Sequence, residues 1–251
     1  MAITAASGTW SIGSGWPWPR VFITDYYVLA VVINSTVLSL YELNCASNAW
    51  TATKIVDLGV IANVDKISIA AFERYYIISA SGYNASDELS VNMYQRIPAA
   101  APGTSAVSAI TAPDFPLGMA VCNFKNQVIV GGLKTNSINW QHLGSCAIAY
   151  SGIGNTTFDP TQDPSSGFVK LPWDIKKQGK VYELRKLGDS VIVYGNGGVS
   201  RLVPFSNETI VGFGQDDIQE GGVLGYNTMA GGNKVHCFIA VSYTHLRAHE
   251  T

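Results

Sequence analysis

Residues 180–204, KVYELRKLGDSVIVYGNGGVSRLVP, constrain the chain more than any other stretch. Three short runs of alternating or β-branched apolar residues lie in it: Val181/Tyr182/Leu184, then Val191/Ile192/Val193/Tyr194, then Val199/Leu202/Val203. Between them stand Gly188-Asp189 and Gly195-Asn196-Gly197-Gly198, expected to supply the positive φ angles that tight hairpins need. The pattern predicts an antiparallel meander of three strands. Such a unit exposes an apolar face and needs a neighbouring sheet to cover it.

Looser copies run along the whole chain. Apolar strand cores at residues 27–33, 75–79, 127–130, 190–194 and 234–239 recur at roughly 45 to 65 residues, a spacing in the range of propeller blades. Residues 21–58 read as a first blade (VFITD, YVLAVVI, TVLSLYEL, WTATKIVDL) and 66–111 as a second (KISIAAF, YYIISAS, LSVNMYQRI, SAVSAIT). A third spans 117–171 (GMAVCNF, QVIVGGL, SCAIAYS, FVKL), a fourth 179–213, and a fifth begins at 223–239 with GVLGYNT and VHCFIA. The expected fold is all-β: a β-propeller-like array of about four complete blades plus a partial fifth, truncated at the C-terminus. In domain terms, a Trp/Pro/Gly arm at 1–20 precedes an incomplete propeller domain at 21–240.

The segment 241–251, VSYTHLRAHET, breaks every preceding pattern. Codon for codon it fits the transposon end and adapter of a short-read DNA library preparation. It is therefore expected to be adapter-derived and kept out of fold reasoning. His245 and His249 then carry no chemistry, and Arg247 and Glu250 cancel, so the net charge of −2 is unchanged.

Composition limits the functional classes. Charged residues make up 14% of the chain, below the roughly one quarter usual for soluble domains, which favours a surface partly covered by partners. The basic residues are dispersed, so no nucleic-acid footprint is expected. Residues 1–20 lack a basic stretch followed by an apolar one, and the apolar run 26–33 is too short to span a bilayer, so neither a secretory signal nor a membrane partner is expected. Cys45, Cys122, Cys146 and Cys237 lie far apart without metal-site or redox spacing and read as buried free thiols.

No catalytic constellation stands out, and neither a metal nor a cofactor is expected. Asp57, Asp65, Asp87/Glu88, Asp114, Asp159, Asp163, Asp174, Asp189 and Asp216/Asp217 include enough carboxylates for a glycosidase pair. Most adjoin Gly, Pro, Asn or Ser, where Asp caps turns. The loop from Asp159 to Asp163 holds two acids, fewer than a dedicated Ca²⁺ site uses. His236 and Cys237, adjacent on a strand, point to opposite faces and do not share an ion. Trp10, Trp16 and Trp18, with Tyr83, are candidate interaction aromatics, as an assembly arm or as platforms for a glycan.

Within residues 117–240 the order of motifs resembles that of virion and tail-associated proteins of tailed bacteriophages. The strings are Ala147-Ile148-Ala149-Tyr150-Ser151, then Gly154-Asn155-Thr156-Thr157-Phe158-Asp159-Pro160, then Gly167-Phe168-Val169-Lys170-Leu171-Pro172. The next unit pairs Leu187-Gly188-Asp189 with Tyr194-Gly195 and Gly198-Val199. The family often has Trp in place of Tyr150 and Asp in place of Asn155. The resemblance implies a non-enzymatic structural part of a virion, tail-associated and assembled in the bacterial host cytoplasm. Its implied partners are other virion proteins and further copies of itself. A glycan-binding propeller for host attachment is the alternative, and a glycoside hydrolase the more distant one.

Overall fold

The structure, a computed structural model, describes residues 4–5, 20–23, 28–34, 37–46, 49–60, 64–72, 75–83, 89–97, 106–109, 116–133, 144–173, 179–206, 211–219, 221–240 and 246–250. Among these it is all-β, with no helix, and its strands form five small sheets. The first contains β1 (Thr4–Ala5), β2 (Arg20–Ile23), β3 (Val28–Asn34), β4 (Val37–Ala46) and β5 (Ala49–Val60), with β1 added parallel to the outer edge of β5. The second is β6 (Val64–Phe72), β7 (Tyr75–Tyr83), β8 (Leu89–Ile97) and β9 (Ala106–Ala109). β10 (Gly118–Phe124), β11 (Gln127–Leu133), β12 (Ala147–Tyr150) and β13 (Gly167–Lys170) make the third. β14 (Val181–Leu187), β15 (Ser190–Gly195), β16 (Val199–Ser206) and β17 (Val211–Gln219) make the fourth, and β18 (Met229–Gly231), β19 (Val235–Ile239) and β20 (Leu246–Glu250) the fifth. Apart from β1, each sheet is an antiparallel meander in chain order.

Sheets two to five pack face to face in succession. Ala70, Phe72 and Ile77 of the second sheet meet Val121, Val128, Val130, Ala147 and Ala149 of the third. The opposite face of the third, with Cys122, Phe124, Ile129, Ile148 and Tyr150, meets Val181, Leu184, Val191, Val193, Leu202 and Phe213 of the fourth. The other face of the fourth, with Leu187, Ile192, Tyr194 and Val199, meets Val223, Met229 and Phe238. Because side chains alternate across a strand, a strand serving two interfaces reads as an unbroken apolar run. That is why QVIVGGL and SVIVYG lack alternation.

Three local differences from the sequence expectation have physical causes. The fourth sheet carries a fourth strand, β17, continuing beyond Phe213 to Gln219. Cross-strand polar partners hold this extension: Arg201 Nη2 donates to Asp216 at 2.7 Å, and Ser200 Oγ to Asp217 at 2.5 Å. The segment GVLGYNT is not a strand. Val223 N donates to Gly195 O at 2.8 Å and Leu224 N to Ile239 O at 2.9 Å, with a single bridge between Val223 and Ala240, and the backbone then turns through Asn227 at φ 63°. The third concerns glycine. Gly188 does have positive φ, 56°, in the hairpin closed by Leu187 and Ser190, but none of Gly195, Gly197 and Gly198 does. There the requirement is space, because a Cβ on Gly197 would stand 2.5 Å from Trp173 Cβ, and one on Gly198 2.8 Å from Trp173 Nε1. The indole lies across glycines, which have no side chain to hold it off.

Candidate functional site

The first strands of the sheets converge on one cavity of about 480 Å³. Its lining takes Val21 and Phe22 from β2, Lys66 to Ala71 from β6, Val121 to Asn123 from β10, Glu183 to Lys186 from β14, and Met229, Gly231 and His236 from the fifth sheet. Among the described residues, three cationic side chains, Lys66, Arg185 and Lys186, thus share the lining with one carboxylate, Glu183.

The strands are locked around it by side-chain bonds to backbone. Ser68 Oγ donates to Val121 O and accepts from Val121 N, at 3.2 and 3.0 Å, and Asn123 Nδ2 donates to Ala71 O at 2.7 Å, joining β10 to β6. Lys66 and Glu183, both buried, form an ion pair linking the second sheet to the fourth. Burial removes both groups from water, so the pair holds these sheets in one relative placement more than it adds net stability. On the fifth-sheet side, Tyr194 Oη and the buried His236 Nδ1 are hydrogen-bonded at 2.8 Å. Burial raises the Tyr194 phenol above its ordinary pKa, against the pull of Arg185.

Arg185 is the least satisfied charge. Its Nη1 donates to Gly231 O at 3.3 Å, while Nε is buried without a hydrogen-bond partner. Burial holds the guanidinium below its ordinary pKa, with Tyr194 and Cys122 acting in the opposite sense. Asn123 Oδ1 is likewise buried without a partner. A donor and an acceptor therefore stay uncommitted on residues of the same cavity. Cys122, also in the lining, is pushed up to about 12 by burial, against Lys186 and then Arg185, which keeps it a thiol at neutral pH.

Of the residues singled out in the sequence, Cys122 and His236 are in this lining, and the candidate aromatics and carboxylates are not among its described residues. Trp10, Trp16 and Trp18 fall outside the described residues, and of Tyr83 only the backbone, at the end of β7, is described. Asp159 and Asp163 sit in the connection from β12 to β13 and cap turns. Asp159 Oδ1 accepts from Thr161 Oγ1 and N at 2.7 and 2.8 Å, and these bonds, the hydroxyl's first, lower its pKa. Asp163 Oδ1 accepts from Ser165 Oγ and N at 2.6 and 2.8 Å, and Oδ2 accepts from Asn155 Nδ2 at 2.7 Å; Ser165 and then Asn155 lower it too. Asp189 is exposed in a hairpin, and Asp216 and Asp217 hold β17. Asp87, Glu88, Asp114 and Asp174 fall outside the described residues, as do the side chains of Asp57 and Asp65. Among the described residues no three His, Cys, Asp or Glu side chains form a metal-binding group. Cys122 and Cys146 are buried as expected, the side chain of Cys45 falls outside the described residues, and Cys237 is exposed, because β19 turns His236 inward and Cys237 outward.

Most of the chain is similar in fold to a solved structure. A structure of YjhT aligns at a TM-score of 0.52 and 12% identity, covering 91% of this chain and 74% of that one. A chain from a cryo-EM structure of RAG with one melted and one unmelted RSS aligns at 0.49 and 9% identity, over 94% and 82%. At these identities the first likeness is one of fold alone, and the second carries no argument. No family model matches the chain, and no curated protein does.

The charged cavity residues were not singled out in the sequence because each lies inside an apolar strand: Lys66 begins KISIAAF, and Glu183, Arg185 and Lys186 interrupt VYELRKL. The usable signal was a charge at a position whose strand is otherwise buried.

Proposed function

We propose that the five sheets are blades of a β-propeller, and that the protein is a non-enzymatic structural component of a tailed-phage particle, assembling with other virion proteins and with itself. For the propeller, the support is that each successive meander turns its first strand toward the common cavity and packs on the meander that follows it from sheet two onward.

The observation that carries an assembly role is the outer face of the fifth sheet. Val235 and Ile239 on β19 are 36% and 49% exposed, Leu224 beside them is 60% exposed, and Cys237 shares the surface. Contiguous apolar surface of this kind marks contact sites for other proteins. The loop carrying the phage resemblance also reads as structural. Phe158 is fully buried against the second and third sheets, and Asn155 and Asp163 brace the turn above it. Motif residues used in packing support the structural reading.

Two measurements test the reading. Sedimentation of the full chain is expected to show self-association that Ile239→Lys and Leu224→Lys weaken; a cooperative monomer with or without these changes refutes the assembly role. Long-read sequencing of the source DNA across the codon for Ala240 is expected to find portal, capsid or tail genes nearby, and their absence removes the virion assignment.

A further inference from the structure

We propose that the outer face of the fifth sheet is a two-fold interface, on which a second copy of this chain seats the same face to make a closed dimer. The inference rests on the assembly role of that face and names its partner. From the second sheet to the fourth, each sheet's following face is covered by the sheet after it. The fifth sheet buries His236 and Phe238 on its fourth-sheet side. It turns the other set out: Val235, Cys237 and Ile239 of β19, with Ala230 opposite Cys237 on β18 and Leu224 alongside. An apolar sheet face left open in this way is a surface to be covered.

Two observations select a second copy placed face to face. Copies of one chain pair head to tail, through two different patches, or through one patch used twice. A head-to-tail contact needs a second open sheet face, and the described residues of β3 and β4 in the first sheet offer none: Leu29, Val31 and Leu40 are buried on one side, Ala30, Val32 and Tyr41 on the other. The remaining exposed large apolar side chains among the described residues stand one to an element: Val21 on β2, Ile153 after β12, Phe168 on β13, Phe205 on β16 and Ile218 on β17. The fifth sheet is thus left to pair with itself. The second observation is charge. A two-fold axis sets like against like, and the five outward side chains carry no charge that would repel its own copy or select a charged partner. Cys237 lies midway along β19, so an axis through the middle of that strand brings the two thiols together.

Sedimentation and cross-linking of the full chain test this. A monomer–dimer equilibrium without larger species is expected, and a short bismaleimide should link the dimer through Cys237, with no link in Cys237→Ser. Cys237→Lys and Cys237→Glu, at an exposed position where either side chain fits, should each weaken the dimer by about tenfold or more, because each puts two like charges near the axis. An equimolar mixture of these two variants should restore it, since only a contact of position 237 with itself turns the repulsion into an ion pair. Association that continues past the dimer, a dimer that Cys237 does not link, or a mixture that stays dissociated overturns the two-fold geometry and leaves the assembly role standing. A chain that stays monomeric at every concentration overturns both.

Discussion

The fourth and fifth sheets adjoin each other and share one interface, yet their strands are built differently. In β15, Val191 and Val193 pack toward the third sheet while Ile192 and Tyr194 pack toward the fifth, so no residue from Val191 to Tyr194 meets water. In β19 only His236 and Phe238 are buried, and Val235, Cys237 and Ile239 face outward. One strand is an interior element and the other a boundary. The difference lies in the number of covered faces, since both are antiparallel strands of similar length.

The comparison can be broken by experiment. The largest effect is expected at the ion pair that ties the fourth sheet to the second. Lys66→Met leaves Glu183 buried without its partner, and denaturant unfolding should show a loss of about 3–5 kcal/mol, much of it recovered by Lys66→Met with Glu183→Met. Truncation of the doubly covered sheet comes close behind: Leu202→Ala, at a fully buried site, is expected to cost about 2–5 kcal/mol. At protein concentrations low enough to keep the chain monomeric, Ile239→Ala on the open face should stay within about 0.5 kcal/mol. Equal losses at the two sites would mean that the fifth sheet's outer face is covered in solution. Gly197→Ala, which puts a methyl group against Trp173, should cost about 1–3 kcal/mol from overpacking.

Much of this architecture was legible in the sequence. The meander at 180–204 and its neighbour at 117–171 were readable because β-branched runs alternate there with hairpin-forming residues, and the strands follow those runs. β17 was cut short because its continuation is polar. An Arg–Asp and a Ser–Asp pair across two strands hold it, and neither carries a hydrophobic signature. The segment 222–228 misled for the converse reason, since Val223 and Leu224 look like strand residues while their N–H groups bond to other parts of the backbone. The cavity was not legible. Lys66 and Glu183 stand 117 positions apart, and only the convergence of first strands brings them together.

Smaller effects sharpen the contrast. Among the three cysteines with described side chains, an alkylating reagent should modify Cys237 in the native protein, leaving Cys122 and Cys146 until unfolding. Cys122 is doubly protected, by burial and by a pKa near 12. The smallest change is expected at the turn between β12 and β13. Bonds from Ser165 and Asn155 depress the folded-state pKa of Asp163 below its usual 3.8. The stabilisation is therefore present above that value and is lost as pH falls through the lower, folded value. A melting-temperature profile should decline on that acid limb, less steeply in Asp163→Asn.

The two-faced construction of β15 has a further consequence for how such a chain tolerates change in length. One residue inserted within β15 would exchange the side chains offered to the two neighbouring sheets, sending Ile192 and Tyr194 to the partner shaped for Val191 and Val193 and the reverse. A single inserted codon would thus miswire two interfaces at once, whereas the connection at 151–166 can absorb added length without altering either.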